Sequence, residues 1–541
     1  MESEFIVLDK AEEEAEWLHD FLEDISCWDK PVPSVMIQCD SLSALGRARN
    51  SLLNSSSTSL SEMGLKIEKV NGKELSYSEF AEKYMAQNQP VVLTGLMDDW
   101  RACKDWVSAN GKPNLHFFST HFGKSKVQVT DCGTREFTDQ KRIEMTVSEF
   151  IDHWLRVSAA DNGDNTDCGT AGRSLLYLKD WHFVKEYPEY IAYRTPMDFS
   201  DDWLNFYLDK YRMHNDPDTY SERNEISCSD YRFVYMGSKV LLGSVQILEM
   251  DAGTWTPLHA DVFRSYSWSA NVCGKKQWYF LPPSQRHLVF DRNMKSSVYN
   301  IFADVSQSKF PGFEKAIWWE CSQEENEVIF VPSGWYHQVH NLEDTISINH
   351  NWFNGYNLSW VWDLLLKDYN EASEYIEDLK GCDDFEELCQ RNLAANTGMN
   401  FSDFFIFIVR FAFANVVLLH TLVHGKNETS REPSETVQHI YFNLESIRSI
   451  AVKMKPINAG DRQGVLLDLR KDLEDHSFIE LCAAVGKTYE LIHGRSEVTR
   501  ALSQCKETMF SDFIRSQVQC SEDLVTFIDD ALTKLGGDFS G

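Results

Sequence analysis

The chain has 541 residues, 43% of them apolar, with 52 Lys and Arg against 83 Asp and Glu and a formal net charge of −31. The apolar share is enough for a substantial core, and the length suggests roughly two to four domains, or one large domain with helical additions. The acidic balance argues against a nucleic-acid-binding surface, which needs clustered positive charge, and leaves room for a basic protein segment as partner.

In chain order, residues 1–57 differ from the rest of the chain. "MESEFIVLDKAEEEAEWLHDFLEDI" is an acidic helix candidate, and "PSVMIQCDSLSALGRARNSL" reads as a short strand and a helix start. The stretch resembles a piece of the ribonuclease H domain of copia-type retroelement polyproteins, in which Glu4 and Asp40 match two metal-binding carboxylates. The other carboxylates have no counterpart, and a fragment of this size cannot close that fold. Residues 1–57 are therefore expected to be a remnant without nuclease activity. A Ser-rich linker over 58–63 comes next, with Met63 a plausible original start.

From residue 64 the pattern is globular. Residues 64–176 read as an N-terminal α/β part. "QPVVLTGLMDDW" is a buried strand entering a turn, and "TVSEFIDHWL" is a helix with Thr146 as a possible N-cap. "SAADNGDNTDCGTAGR" is a polar, Gly-rich loop. Residues 177–357 open with "YLKDWHF", a strand leading into a helix start. Short strands then recur between turns from 231 to 353, as in an all-β sandwich or barrel. Residues 358–541 follow helical periodicity, seen in "LSWVWDLLLKDY" and "SEDLVTFIDDALTKL". "FFIFIVRFAFANVVLL" (404–419) is short for a membrane span and carries Arg410 and Asn415, so a buried helix is the better reading. The 13 cysteines lack a C-x-x-C pair, and the N-terminus lacks a signal-peptide pattern. Both favour reduced thiols inside the cell, in cytoplasm or nucleus, with no membrane partner.

Two His-x-Asp triplets occur. His214-Asn215-Asp216 sits in the turn-like "HNDPDTY", whereas His259-Ala260-Asp261 precedes an aromatic, strand-like run. In a strand, residues two apart share a face, so His259 and Asp261 would project together. Downstream, "EVIFVPSGWYHQVHNLEDTISINHNWF" offers His337, His340 and His350. His337 lies just after the Pro-Ser-Gly turn, at a barrel mouth, and His340 has the opposite parity. His337 is the third ligand candidate. Two imidazoles and one carboxylate form the facial triad of non-haem Fe(II) oxygenases, with the opposite face open for a cosubstrate and O₂. Zinc competes for such a set but usually brings a general base or a Cys-rich neighbour, and neither stands here. An organic cosubstrate such as 2-oxoglutarate needs a buried cation. Lys275 and Lys276 stand in an aromatic strand, and Lys276 has the parity of Trp278 and Phe280. Edge-strand lysines that discourage aggregation are the plainer explanation of that pair taken alone.

"TPLHAD", "GKKQWYFLPP", "VPSGWYHQV" and "INHNW", in this order and spacing, resemble the JmjC-domain 2-oxoglutarate oxygenases. "YLKDWHF", "DDWLNFY" and "DYRFVYMG" resemble, more narrowly, the jumonji domain-containing protein 4 branch, associated with lysyl hydroxylation of the eukaryotic peptide-chain release factor. The resemblance covers roughly residues 64–541. It implies a double-stranded β-helix, the cupin-like jelly roll, with N-terminal helices and a C-terminal helical domain. It implies Fe(II) on His259, Asp261 and His337, with 2-oxoglutarate and O₂ as cosubstrates. It places the distal carboxylate of 2-oxoglutarate on Lys276, Thr256 and Tyr177, and its metal-bound end near Asn351 and Asn349. Two departures stand out. Ser267 or Ser269 takes the place of an asparagine common after the triad acid, and residues 238–252 intervene before the ligand strand, as a variant strand or an insert. The expected activity is hydroxylation of a lysine in a protein or peptide. The alternatives are histone N-methyl-lysine demethylation with the same cofactors, or a binding-only jelly roll that has lost catalysis.

Overall fold

In "YSWSANVC" and "TISINHNW" every second residue is Ser or Asn apart from Cys273 and Thr345, and the residues between are almost all aromatic or aliphatic. A strand turns alternate side chains to opposite faces, so each segment has one polar and one apolar side. The computed structural model describes residues 65–161, 174–213, 230–239, 253–303, 305–424, 434–455, 466–494, 513 and 516–535. Residues 1–57 with Glu4 and Asp40, the 58–63 linker and Met63, the His214-Asn215-Asp216 triplet and residues 240–252 lie outside them.

Fourteen strands carry the site: β1 (Leu65–Lys66), β2 (Lys69–Asn71), β3 (Val91–Thr94), β4 (Lys126–Glu136), β5 (Asp139–Thr146), β6 (Leu176–Trp181), β7 (Arg232–Gly237), β8 (Trp255–His259), β9 (Tyr266–Cys273), β10 (Lys276–Leu281), β11 (Trp319–Gln323), β12 (Glu327–Val331), β13 (Tyr336–Asn341) and β14 (Thr345–Trp352). They form two sheets, one in the order β1-β11-β10-β13-β8, the other β2-β3-β12-β9-β14-β7-β6-β4-β5. Pairing is antiparallel except for β1 with β11 and β2 with β3. This is the cupin-like jelly roll. Strands β1–β5 extend both sheets, so residues 65–146 are continuous with the barrel. The β4–β5 hairpin left little trace in the sequence because its charged residues interrupt the alternation.

The apolar side of β9 and β14 (Tyr266, Trp268, Ala270, Ile346, Ile348, Trp352) packs outward against the N-terminal helices, in one core with Phe80, Trp100, Phe118 and Phe150. Thr146 caps the helix Val147–Asp161: its hydroxyl accepts from the Glu149 amide at 3.2 Å, and the Glu149 carboxylate accepts from the Thr146 amide at 2.8 Å. The space between the sheets is apolar at one end, where Trp278, Phe280, Ile329, Val331 and Trp335 meet. The remainder is polar.

Helices follow from Leu358. The longest, Phe401–His424, is long and apolar enough by composition to cross a membrane, and the protein buries it in a helical core. Its polar interruptions find partners within that core, although Arg410 Nε is buried without one. Arg410 Nη1 donates to the Tyr207 hydroxyl at 2.8 Å, and Asn415 Oδ1 accepts from the Tyr489 hydroxyl at 2.6 Å. Trp203 stacks on Phe411 with ring centroids 4.6 Å apart, which ties the segment between β6 and β7 to the helical domain.

Candidate active site

His259 ends β8 and His337 lies directly opposite it on β13, with ring centroids 4.3 Å apart. Asp261 follows in extended conformation, just before the turn Val262–Arg264. One ligand atom from each of the three lies within 4.8 Å of the others. Both imidazoles are oriented by the backbone. His259 Nδ1 contacts Pro257 O at 2.8 Å and His337 Nδ1 contacts Trp335 O at 3.2 Å, which leaves each Nε2 free to face a metal. Burial, with His259 adding to it, pulls the His337 imidazole down to about 4, so it stands neutral, the form a metal needs. The Ser267 hydroxyl donates to Asp261 Oδ2 at 2.6 Å and holds that carboxylate. His259 is exposed and Asp261 partly so, so the cluster opens at the barrel mouth.

The other two histidines serve packing. His340 is buried on the outer side of β13, stacked on Trp255 at 5.7 Å, with Gln338 Nε2 2.8 Å from its Nε2. His350 packs on Trp268 at 4.1 Å, among the outward core of β14.

The registers put the remaining candidates inside. Lys276 pairs with Asn341 and Phe280 with His337, so Lys276 shares the ligand face of the sheet. Its side chain is buried and its ammonium donates to Ser347 Oγ, on the facing sheet, at 2.7 Å. Among the described residues no carboxylate pairs with it. Burial pulls it from its ordinary 10.5 down to about 7. Lys275, by contrast, forms a 2.7 Å ion pair with Glu324 and is a third exposed. Thr256 lies three residues before His259, a spacing that would turn it to the opposite face of a regular strand. An irregularity in the β8–β13 register pairs Thr256 with Val339 and brings it back to the interior. Its hydroxyl is buried without a hydrogen bond.

Tyr177 enters from β6, opposite Gly237. A Cβ at Gly237 would sit 2.2 Å from Thr254 Oγ1 and 2.8 Å from the Tyr177 ring, so glycine permits this close approach. Burial raises the Tyr177 hydroxyl, and a hydrogen bond from Asn341 partly offsets that. Asn349 accepts from Ser269 Oγ at 3.0 Å, and Asn351 donates to Ser265 Oγ at 3.1 Å. Ser267 and Ser269 thus both face the site, opposite Asn351 and Asn349 in register. Sequence reasoning missed Ser347 and Asn341. Ser347 was within its reach, since it stands in the same Ser/Asn alternation as Asn349.

Residues 77–357 match the cupin-like domain family. The chain is 58% identical over 432 residues to arginine-specific demethylase JMJ20 of Arabidopsis thaliana, covering 80% of this chain and 88% of that protein. It is 38% identical to the 2-oxoglutarate and iron-dependent oxygenase JMJD4 of Danio rerio, over 70% of this chain and 83% of that one. It is 27% identical to the bifunctional arginine demethylase and lysyl-hydroxylase psr-1 of Caenorhabditis briggsae, over 55% and 64%. The chain belongs to the JmjC-type, cupin-like 2-oxoglutarate and iron-dependent oxygenases.

The cofactors of this oxygenase are Fe(II), 2-oxoglutarate and O₂. The residues fit them. Two neutral-capable imidazoles and a carboxylate make a suitable donor set for ferrous iron. An ammonium with no counter-charge among the described residues and an unsatisfied hydroxyl suit a buried carboxylate. The Ser267–Asp261 contact gives a measurable expectation. Ser267→Ala frees the carboxylate to rotate, and metal affinity should fall about 10–100-fold, the usual cost of losing an outer partner of a ligand. Titration of the variant with Mn(II) by calorimetry checks it. An unchanged affinity would show that Asp261 is held by other means.

Proposed function

We propose that this oxygenase hydroxylates a lysyl side chain of a protein, with the eukaryotic peptide-chain release factor as the first candidate substrate. The observation that carries the reading is one barrel interior in which His259, Asp261 and His337 converge while Lys276 has no counter-charge among the described residues. The net charge of −31 suits a basic substrate segment. In this reading His259, Asp261 and His337 hold the iron. Lys276, with Thr256 and Tyr177 nearby, binds the distal carboxylate of 2-oxoglutarate, and Asn349 and Asn351 border its other end. When bound, iron and 2-oxoglutarate supply the oxidising power to put one oxygen atom of O₂ into a substrate C–H bond, with succinate and CO₂ as co-products. The chain's own share is positioning and exclusion of water. Ser267 orients Asp261, the apolar end of the barrel closes the site behind, and the exposed His259 edge admits the side chain to be oxidised.

A second reading, arginine N-demethylation, is favoured by the 58% identity to the Arabidopsis demethylase. Both reactions attack a C–H bond on a cationic side chain. They differ in which carbon reaches the site. Oxygen on a chain carbon leaves a stable alcohol, whereas oxygen on an N-methyl carbon leaves as formaldehyde. Full-length protein with Fe(II) and 2-oxoglutarate should be offered release-factor lysine peptides and methyl-arginine peptides, with products read by mass spectrometry. Gain of one oxygen on lysine is the expected result. Loss of methyl from arginine, with formaldehyde, would replace it by the second reading.

A further inference from the structure

Strand β7 has two faces. Val234 and Met236 point outward, into the core shared with the N-terminal helices. Phe233 and Tyr235 point inward, opposite Asn349 and Ser347 of β14 in register. Their rings lie nearly parallel, with centroids 6.2 Å apart. Ring contacts continue from there in both directions. Tyr235 meets Tyr177 at 6.0 Å. Phe233 meets Tyr231 at 6.1 Å, and Tyr231 meets Phe263 at 5.5 Å. The band therefore begins two residues after Asp261 and ends at a residue assigned to the cosubstrate. Between those ends it runs beside the metal site. The Tyr231 carbonyl accepts from the Asn351 amide at 3.0 Å, and Asn351 stands opposite Ser267, which holds Asp261.

An inward aromatic stripe is usually core, but Phe233 is buried and still packs into none of the hydrophobic cores of the described residues. Its partner across the strand pair, Asn349, is polar, and Tyr235 is only partly buried. Aromatic faces turned to a polar space forgo apolar burial. The neighbourhood also holds the Tyr235 ring in place. Its hydroxyl donates to Asp180 Oδ1 at 2.8 Å, and Arg142 donates to the other oxygen at 2.9 Å. Asp180 reaches it from left-handed backbone, φ 56°, in an irregular stretch of the β6–β7 register. A non-glycine residue keeps that conformation only where its surroundings hold it. A phenol that donates to a carboxylate has a more electron-rich ring, and such a face attracts a cation. The band already takes one at its inner end, where Lys179 Nζ stands 5.7 Å from the centre of the Tyr177 ring.

We propose that Phe233 and Tyr235 form the wall along which the substrate side chain enters, and that they select it for positive charge by cation–π contact. The carbon stem of a lysine or arginine lies against the rings, with the charged head over an aromatic face. A neutral side chain of the same length gains only the apolar part of that contact. The inference rests on the reading of a cationic side chain as substrate and assigns its recognition to two named rings.

The test is a binding measurement, separate from catalysis. Labelled peptides with a central lysine, arginine or norleucine are titrated by fluorescence anisotropy with the full chain carrying Mn(II) and 2-oxoglutarate. Norleucine keeps the carbon chain of lysine without the ammonium. The salt is about 0.15 M, so that long-range attraction to the acidic surface is screened. The lysine and arginine peptides should bind about tenfold tighter than the norleucine peptide. Phe233→Leu with Tyr235→Leu should bring that ratio close to one, whereas Phe233→Tyr should keep most of it. Phe233→Leu alone should cut the ratio about threefold and serves if the double variant does not fold. A purely structural role would weaken all three peptides alike and leave the ratio where it was. Equal binding of lysine and norleucine by the wild type would overturn the proposal whatever the variants do. So would a ratio that survives in the folded variants. Mass spectrometry addresses the reaction separately. Cation-selective binding with loss of methyl from arginine, and no oxygen on lysine, would replace lysyl hydroxylation and leave the aromatic wall standing.

Discussion

Lys276→Met should raise the 2-oxoglutarate requirement by two orders of magnitude or more, while metal binding and the fold survive. The ammonium is buried, donates to Ser347 Oγ at 2.7 Å and has no carboxylate beside it among the described residues. A cosubstrate carboxylate arriving there forms a pair out of water. Breaking one side of such a pair costs on the order of 3–5 kcal/mol, and each tenfold in affinity is about 1.4 kcal/mol. Methionine fills the space without the charge, so stability should hold or rise. Lys275→Met is the control, since Lys275 pairs with Glu324 at the protein surface. The titration adds a signature. In the unfolded chain the amine titrates at its ordinary 10.5, and in the folded chain near 7. Between these values the folded state binds fewer protons, so stability without cosubstrate rises with pH through that window, and the full burial penalty is present below about 7. Binding of 2-oxoglutarate recruits the charged form. Its apparent affinity should therefore weaken as pH climbs above 7, and the thermal shift it confers should shrink toward pH 9. A cosubstrate affinity flat across pH, or sensitivity at Lys275 in place of Lys276, would remove the assignment.

The contrast between these neighbouring lysines is legible in the sequence alone because a strand's period is two. The same rule separates His337 from His340 on β13. It fails at Thr256. A spacing of three from His259 points the hydroxyl away from the site in a regular strand, and only the irregular β8–β13 register restores it. Resemblance could name Thr256, but spacing could not. Ser347 and Asn341 needed a further dimension. Ser347 meets Lys276 across the gap between two sheets, and Asn341 meets it across a strand pair, at sequence separations no local pattern encodes. The Ser/Asn alternation in β9 and β14 did announce a polar inner wall. The hairpin of β4 and β5 was hidden for the opposite reason: much of it faces solvent, so its charged residues carry no periodic signal.

Replacing any of His259, Asp261 or His337 with alanine should abolish 2-oxoglutarate turnover and leave a folded protein. Three ligand atoms within 4.8 Å of one another make the site, and two of them cannot hold a ferrous ion against water. The loss should exceed the 10–100-fold that removal of an outer partner such as Ser267 brings. Circular dichroism should stay near that of the wild type for the His259 and Asp261 variants, because His259 is exposed and Asp261 lies beyond the end of β8. The His337 variant loses a ring buried against Trp278 and Phe280, so it should also lose some melting temperature. His340→Ala and His350→Ala should behave in the opposite way. His340 is wedged between Trp255 and Gln338, and His350 between Trp268 and Tyr193, so truncation opens a cavity in each case. Their melting temperatures should fall by the several degrees that a loss of about 2 kcal/mol produces, with Mn(II) affinity retained. The pattern across five variants decides the matter. If His340→Ala loses the metal while His337→Ala keeps it, the ligand face of β13 has been misassigned and the converging trio is a packing cluster. If all five destabilise alike and none changes metal affinity, the barrel binds no iron through these side chains.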